Sequence, residues 1–215
     1  MSQRCTRTGL AACIEESTAL RVDKLANTPM IAVDLEMTGL DADKNRIIAI
    51  GWTYVDKGRV QFGANRQLLI NAGQSVGDSA AIHELMDHEV AAGVTLEAGL
   101  EALFEAARGR LWLFHHANLD IAFLQRACVE WAGVKTPFMA LDTMQMERRT
   151  RHRRNLPVQQ GDLQLGQLRQ HYQLPHYTAH NAMIDACATA ELLLAMSAHM
   201  EPAGSLKLGS HLVYF

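Results

Sequence analysis

Four acidic residues lie where the sequence predicts ordered apolar elements, and together they could bind metal ions. Asp34 and Glu36 are two apart within MIAVDLEM, so alternation along a strand directs both side chains to one face. Asp120 follows the apolar segment RLWLFH, and Asp185 comes early in a predicted helix. Oxygen ligands without cysteine favour hard divalent cations such as Mg²⁺ or Mn²⁺. If the four acids converge, two such ions would offset their repulsion and could act together on a phosphodiester.

Each acid also has a purely structural interpretation when it is considered alone. Asp34 could cap the end of a strand, Asp120 could stabilise a helix N-terminus, and Asp185 could pair with an arginine. The presence of a histidine near the last acid favours the catalytic interpretation. His180 precedes Asp185 by five residues, about 140° apart on a helix, so we expect His180 before the helix start. There it could take a proton from an attacking water, although a capping or exposed histidine is the alternative.

Five arginines occur within seven residues of an otherwise acidic chain, in RRTRHRR from residue 148 to 154. This segment could contact the phosphate backbone of a nucleic acid, and we name Arg151 and Arg153 as candidate contacts. A solvated loop is the alternative.

The aromatic residues Trp52, Trp112 and Trp131 have core-like spacing, so we expect them to pack in the core rather than stack on bases.

The elements that must position these residues follow from the hydrophobic pattern. We expect strands at 30–37, 46–56, 58–70, 110–115 and 137–142, with a hairpin at 56–58. We expect helices at 14–25, 80–86, 95–108, 117–131, 143–149, 163–172 and 181–200, and a loop at 71–79. The tail from residue 205 is β-prone and could add an edge strand or contact another subunit.

This order of elements predicts an α/β fold, with a mixed five-stranded sheet flanked by helices. We expect an N-terminal extension at 1–28, a single catalytic domain at 29–203 and a C-terminal tail at 204–215. The 215 residues suit one domain with a full core. The N-terminus has no secretory pattern, no apolar run is long enough for a membrane helix, and the four cysteines form no paired motif. We therefore expect a cytoplasmic protein with reduced thiols and no membrane partner.

The same residues resemble the DEDD exonuclease superfamily in its histidine-bearing branch, which includes the proofreading epsilon subunit of bacterial DNA polymerase III, ribonuclease T and oligoribonuclease. The first family motif stands as DLEMTG from Asp34, the second as HHANLDIAFL from His115, and the third as HNAMIDA from His180. Leu141-Asp142-Thr143 matches a further family segment. The resemblance covers about residues 30–200. The first motif is very similar to that of oligoribonuclease, whereas the third motif and the Leu141-Asp142-Thr143 segment look more like the epsilon subunit.

The resemblance implies a ribonuclease H-like fold and a 3′→5′ exonuclease that releases nucleoside 5′-monophosphates. It implies two Mg²⁺ or Mn²⁺ ions held by the four acids, with His180 as general base. Substrate contacts are expected at Met37, Thr38, Gly39, Leu40, His115 and Phe123. The second motif departs from the family pattern in having His116 for asparagine and Leu119 for phenylalanine, which affects how it meets the terminal nucleotide.

The expected substrate is a nucleic acid with a free 3′ end, taken as single-stranded. The net charge of −3 argues against a high-affinity nucleic-acid coat protein, but not against an enzyme that carries its own carboxylate site. Two alternatives stay open, a short-RNA hydrolase similar to oligoribonuclease and a nucleic-acid-binding module without catalysis. The sequence does not distinguish DNA from RNA. A homodimer and association with a polymerase are also open, although the absence of a long C-terminal extension favours a free-standing enzyme.

Overall fold

The computed structural model describes residues 7–73, 85–178, 180–201 and 205–215. The strands are β1 (Met30–Met37), β2 (Ile47–Asp56), β3 (Arg59–Val60), β4 (Arg66–Leu69), β5 (Leu111–Phe114), β6 (Met139–Asp142) and β7 (Leu212–Tyr214). The helices are α1 (Arg7–Ala19), α2 (Asp87–Ala91), α3 (Leu96–Ala106), α4 (Ala117–Ala132), α5 (Thr143–Arg153), α6 (Leu165–His171) and α7 (Ala182–Met200). In these parts of the chain, no helix combines the length and the apolar character needed to cross a bilayer.

One mixed sheet organises the fold, with the strand order β3-β2-β1-β5-β6-β7 and with β4 also paired to β2. The first strands pair antiparallel, while β1, β5 and β6 run parallel. The predicted α/β fold with an antiparallel part followed by a parallel part is therefore confirmed. The expected number of five strands is wrong, because the sheet has seven among the described residues. A 3₁₀ turn at Phe62–Ala64 divides the expected third strand into β3 and β4, and the tail adds β7.

Alternation along β1 separates two cores. Ile31, Val33 and Leu35 contribute to a cluster with α1, α3 and α4 on one face of the sheet. Met30 and Ala32 contribute to a second cluster with α5, α6 and α7 on the other face. Successive strand residues point to opposite faces, so positions 34 and 36 continue the face that α7 covers. This parity decides where the two acids of β1 lie.

The N-terminal helix begins and ends earlier than predicted. It spans Arg7–Ala19 rather than residues 14–25. Leu10 lies in the α3–α4 cluster, whereas Leu25 lies in the α7 cluster on the opposite face of the sheet. The chain must pass from one face to the other between them, so a continuous helix is not compatible with both contacts.

Other boundaries differ in smaller ways. The expected helix at 80–86 lies mostly outside the described residues, its last two residues are not helical, and α2 begins only at Asp87. Most of the expected loop at 71–79 also lies outside them. The helix expected at 143–149 continues to Arg153.

Trp52 and Trp112 are buried, and Trp131 is partly buried and packs against the core. The predicted core packing of these tryptophans is therefore confirmed.

Candidate active site

The C-terminal half of β1 presents two carboxylates to the N-terminus of α7. Asp34 is half-buried, and Glu36 has 9% of its surface exposed. Opposite Asp34 in the antiparallel register lies Gly51 of β2. A Cβ added to Gly51 would overlap the backbone of Ala182 and Met183. The first turn of α7 therefore packs directly on the bare backbone of β2.

This close packing brings Asp185 to the two acids of β1. The side chain of Asn181 accepts a hydrogen bond from the backbone N–H of Ile184 and caps α7. Asp185 lies in the first turn, with its Oδ2 2.8 Å from the backbone nitrogen of His180, which donates to it. Carboxylate oxygens of Asp34, Glu36 and Asp185 lie within 4.8 Å of one another.

The fourth acid reaches the site from α4. Asp120 is 4% exposed, and its Oδ1 accepts a hydrogen bond of 3.2 Å from the backbone N–H of Leu35. The Asp120 carboxylate therefore lies beside β1 at Leu35, the residue between Asp34 and Glu36 in the sequence. It is not part of the group of carboxylate oxygens that lie within 4.8 Å of one another. The acids that the sequence singled out in three distant segments are brought together.

Burial and mutual repulsion make the ionised forms of these acids unfavourable. Burial, followed by the charges of Asp120, Asp185 and Glu36, holds the pKa of Asp34 well above its usual range. Burial and the charge of Asp185 raise the pKa of Glu36 to about 7. Burial also raises the pKa values of Asp120 and Asp185, against the opposing hydrogen bonds from Leu35 and His180.

The donor set fits divalent metal ions. Within the described chain, none of the four carboxylates forms an ion pair with lysine, arginine or histidine. The charges of His180 and Arg169 oppose the rise in the pKa of Asp185, but burial outweighs them. Clustered oxygen ligands of this kind suit Mg²⁺ or Mn²⁺. The identity and number of ions stay predictions.

Asp142 organises the segment that carries Asp120, a role that the sequence did not reveal. Its carboxylate is 1% exposed. It accepts hydrogen bonds from the backbone N–H groups of His116 and Ala117 at the start of α4, and from those of Met144 and Gln145 at the start of α5. The family segment Leu141-Asp142-Thr143 was a signal for this residue, although its type gave no indication of the role.

His116 shows why the departure from the family asparagine is tolerated. Its backbone is left-handed, with φ of 75°. Asparagine, aspartate and histidine adopt this conformation more readily than other residues with a Cβ. The substitution therefore keeps the turn that starts α4, and the exposed His116 side chain lines the cavity described below.

His180 lies just before α7, as the spacing predicted. Its backbone is left-handed, with φ of 68°, and its side chain is exposed at the cavity. This geometry makes the imidazole available to a water molecule near the carboxylates. Its role as general base stays a prediction.

A cavity of about 890 Å³ opens beside the carboxylates. Asp34, Asp120 and Asp185 lie at one end of it, together with Met37, and α6 and the segment from Gln173 to Tyr177 form another wall. It is large enough for more than the scissile phosphate and is the kind of concave site that small ligands use.

The expected substrate contacts fall into several environments. Met37 lines the cavity, and Leu40 is 79% exposed on the turn after β1. Thr38 shapes this turn through the side chain of Asn45, which also lies against Gly39. Phe123 lies in the core at 3% exposure and is not among the cavity residues.

His115 lines the cavity, but both of its ring nitrogens have partners within the protein. Nδ1 lies 2.8 Å from the hydroxyl of Thr143, and Nε2 lies 2.9 Å from the carbonyl oxygen of Leu163. Burial lowers the pKa of His115 to about 4. The ring therefore connects the end of β5 to α5 and to the segment before α6.

The arginine-rich segment is helical and lies away from the cavity. Arg151 forms ion pairs with Glu147 and Asp162, and its side chain is 14% exposed. Arg153 is exposed and donates to the hydroxyl of Thr150. None of the five arginines lines the cavity. Contact with a longer substrate outside the cavity stays a prediction.

Sequence reasoning missed the α6 side of the site. Gln164, Gln167, Gln170 and Gln173 line it at intervals of three residues, and so does Arg169. Arg169 is 3% exposed and is directed inward, where it donates to the carbonyls of Ala188 and Pro175 and pairs with Glu191. The regular spacing of glutamines was visible, but only the position of α6 shows that they face the cavity.

Comparison with known proteins agrees with this geometry. The profile of the family described as RNase_T, exonuclease, matches residues 31–193. The 3′-5′ exonuclease DinG of Staphylococcus haemolyticus is 25% identical over 179 residues, which are 79% of this chain and 18% of that protein. A PolC-type DNA polymerase III of Caldanaerobacter subterraneus subsp. tengcongensis is 25% identical over 178 residues, 81% of this chain and 12% of that protein. The chain thus spans less than a fifth of these relatives.

Solved structures share the fold. The cell-death related nuclease CRN-4 superposes with a TM-score of 0.67 at 12% identity, covering 81% of this chain and 65% of the nuclease. An E. coli exonuclease I complex with single-stranded DNA and zinc gives a TM-score of 0.67 at 14% identity, covering 80% of this chain and 41% of that chain. The expected ribonuclease H-like fold is confirmed.

Proposed function

The chain belongs to the RNase_T exonuclease family, and on this premise we propose that it is a metal-dependent 3′→5′ exonuclease that releases nucleoside 5′-monophosphates. The observation that carries the proposal is the convergence of Asp34, Glu36 and Asp185, with carboxylate oxygens within 4.8 Å and no protein cation paired to them among the described residues. Asp120 completes the set from α4.

The four acids would hold two Mg²⁺ or Mn²⁺ ions. When bound, such ions polarise the phosphodiester, make water more acidic and stabilise the charge on the departing 3′ oxygen. The protein's contribution is to hold the carboxylates on β1 and α7, which come together because the first turn of α7 packs on Gly51 of the neighbouring strand β2. Asp120 is held on β1 by the N–H of Leu35.

His180 would take the proton of the attacking water. Its ring is at the cavity, on a residue whose backbone is fixed by the hydrogen bond to Asp185. A general base must lie within hydrogen-bond reach of the proton that it accepts. The hydrogen bond to Asp185 holds the backbone of His180 next to one of the carboxylates, from where the imidazole would reach a water molecule in the cavity.

The substrate is proposed to be a single-stranded nucleic acid with a free 3′ end. The cavity is open and extends from the carboxylates to α6, which suits an unpaired strand end. One structural relative is a complex of exonuclease I with single-stranded DNA, which supports the same class. Met37, which lines the cavity, and Leu40, which is exposed on the turn after β1, would contact the last nucleotide.

End-labelled oligonucleotides test the proposal directly. Single- and double-stranded DNA and RNA, and RNAs of two to five nucleotides, are incubated with and without Mg²⁺ or Mn²⁺, and the products are separated by size. We expect single-nucleotide products from the 3′ end only with the metal, and none from Asp34→Ala or Asp185→Asn. Degradation confined to the shortest RNAs would instead support an oligoribonuclease-like enzyme.

Binding without any turnover, in protein that is folded and loaded with metal, would support a nucleic-acid-binding module. Full activity of purified Asp34→Ala would contradict the proposed catalytic role of the carboxylates. Self-association is a separate question, which size measurements of the purified protein address. Association with a polymerase requires the same measurement on a mixture with that polymerase.

A further inference from the structure

One glycine of α6 has no role that the packing of the protein explains. Gly166 lies in a helix and lines the cavity. A Cβ at this position would meet nothing within 4 Å, and its φ is not in the left-handed region. Glycine destabilises a helix relative to alanine, since it loses more conformational freedom on folding. Neither backbone geometry nor a neighbouring side chain explains its use here.

Gly51, discussed above, shows the contrasting case. There an added Cβ would overlap the backbone of α7, so the fold itself requires glycine. At Gly166 the space is open and faces the cavity. Space of this kind is what glycine provides when a ligand approaches the backbone closely.

The residues around Gly166 indicate which part of a nucleic acid would approach. Gln164, Gln167 and Gln170 line the same wall and are exposed. Arginine and lysine bind phosphates through their charge, whereas the neutral glutamine amide can both donate to and accept from base edges as well as contact the backbone of a nucleic acid. The arginine of this wall, Arg169, is directed inward to Glu191 and two carbonyls. The wall is therefore polar and has little positive charge to offer a phosphate.

We propose that this wall, formed by Gln164, Gly166, Gln167 and Gln170, binds the base and sugar of a substrate nucleotide, which lies against the backbone of Gly166. The inference rests on the proposed exonuclease function and extends it to the recognition of nucleotides. The glutamines determine which bases are preferred, and Gly166 provides the room for the nucleotide to lie against α6.

The test compares Gly166→Ala with Gly63→Ala. Gly63 is also surrounded by open space, has no left-handed φ and does not line the cavity, so it is a matched control. We measure melting temperature, kcat and KM on single-stranded oligonucleotides, and binding of a labelled dT oligonucleotide by fluorescence anisotropy in EDTA. Gly166→Ala should keep or raise the melting temperature and raise KM and Kd about tenfold, with kcat nearly unchanged, because the methyl group overlaps the nucleotide. Gly63→Ala should change neither KM nor Kd.

Gln167→Ala and Gln170→Ala examine base recognition separately. Each should change the ratio of kcat/KM among oligo-dA, oligo-dC and oligo-dT, while leaving the melting temperature in place. A stable Gly166→Ala protein with the wild-type KM and Kd would overturn the inference, even if the enzyme is an active exonuclease. Absence of turnover by the wild type on any substrate would instead contradict the proposed function, and the anisotropy measurement would still decide whether Gly166 adjoins the bound strand.

Discussion

Replacing Glu36 with glutamine should stabilise the protein when divalent ions are absent. Burial and the charge of Asp185 raise the pKa of Glu36 to about 7, compared with an ordinary value of 4.5. A carboxyl group whose pKa is higher in the folded state destabilises the fold once both states are ionised. The difference of about 2.5 units corresponds to roughly 3 kcal/mol at pH 8, as an upper estimate.

The sign and the pH window follow from the two pKa values. Above about pH 7 the destabilisation by ionised Glu36 is fully present. It decreases as the pH falls from 7 to 4.5, because the folded protein then takes up the proton first. Glutamine resembles the protonated form, so Glu36→Gln should exceed the wild type in unfolding free energy by up to roughly 3 kcal/mol at pH 8, and the gain should vanish near pH 4.5.

Urea unfolding of the metal-free proteins in EDTA, followed by circular dichroism at several pH values, measures this difference. Addition of Mn²⁺ should reverse the order, because an ion that binds only the folded wild type stabilises it by mass action. Glu130→Gln, at an exposed position of α4, serves as a control and should change the stability by less than about 0.5 kcal/mol at every pH. If Glu36→Gln were destabilising at pH 8 without metal, the account of an uncompensated carboxylate cluster would be refuted.

Three further predictions concern the surroundings of the site. Gly51→Ala should move the start of α7 by on the order of 1 Å and reduce kcat/KM by about 10² or more. Gly209→Ala, at an open position, should leave kcat/KM unchanged. Wild-type kinetics for Gly51→Ala would contradict the packing argument. Burial lowers the pKa of His115 to about 4, so the unfolded state takes up a proton first as the pH falls. Between pH 6.5 and 4, the unfolding free energy of the wild type should therefore fall by about 3 kcal/mol more than that of His115→Gln. Equal decreases in the two unfolding free energies, measured with urea, would exclude this. Leu40→Ala should raise KM without loss of melting temperature, because this side chain is 79% exposed; an unchanged KM would remove it from substrate binding.

The strand and helix pattern was predictable where burial follows periodicity. β1, α4 and α7 lie close to their predicted bounds, because each has an apolar side packed against the sheet or its neighbours. The N-terminal helix was misplaced, because its end depends on Leu25 packing on the opposite face of the sheet. Contacts between distant segments of this kind leave no local pattern in the sequence.

Some residues of the candidate site were predictable from the sequence, and others were not. The spacing of Asp34, Glu36 and Asp185 within their motifs predicted their convergence, which the structure shows. The inward direction of Arg151 was not predictable, because it depends on Glu147 in the same helix and on Asp162 in a later segment. The spacing of residues within the motifs therefore predicts the acidic residues of the site, whereas the residues that form the walls of the cavity depend on tertiary packing.

The hydrogen bonds of Asp142 have a consequence for protein engineering. One carboxylate accepts N–H groups from the first turns of both α4 and α5, so these two helices cannot be treated as independent modules. Transplanting α5 from a relative with a different first turn would disturb the segment that presents Asp120. Chimeras that exchange the arginine-rich half of α5 should therefore place the junction after Gln145, where the shared anchor is left intact.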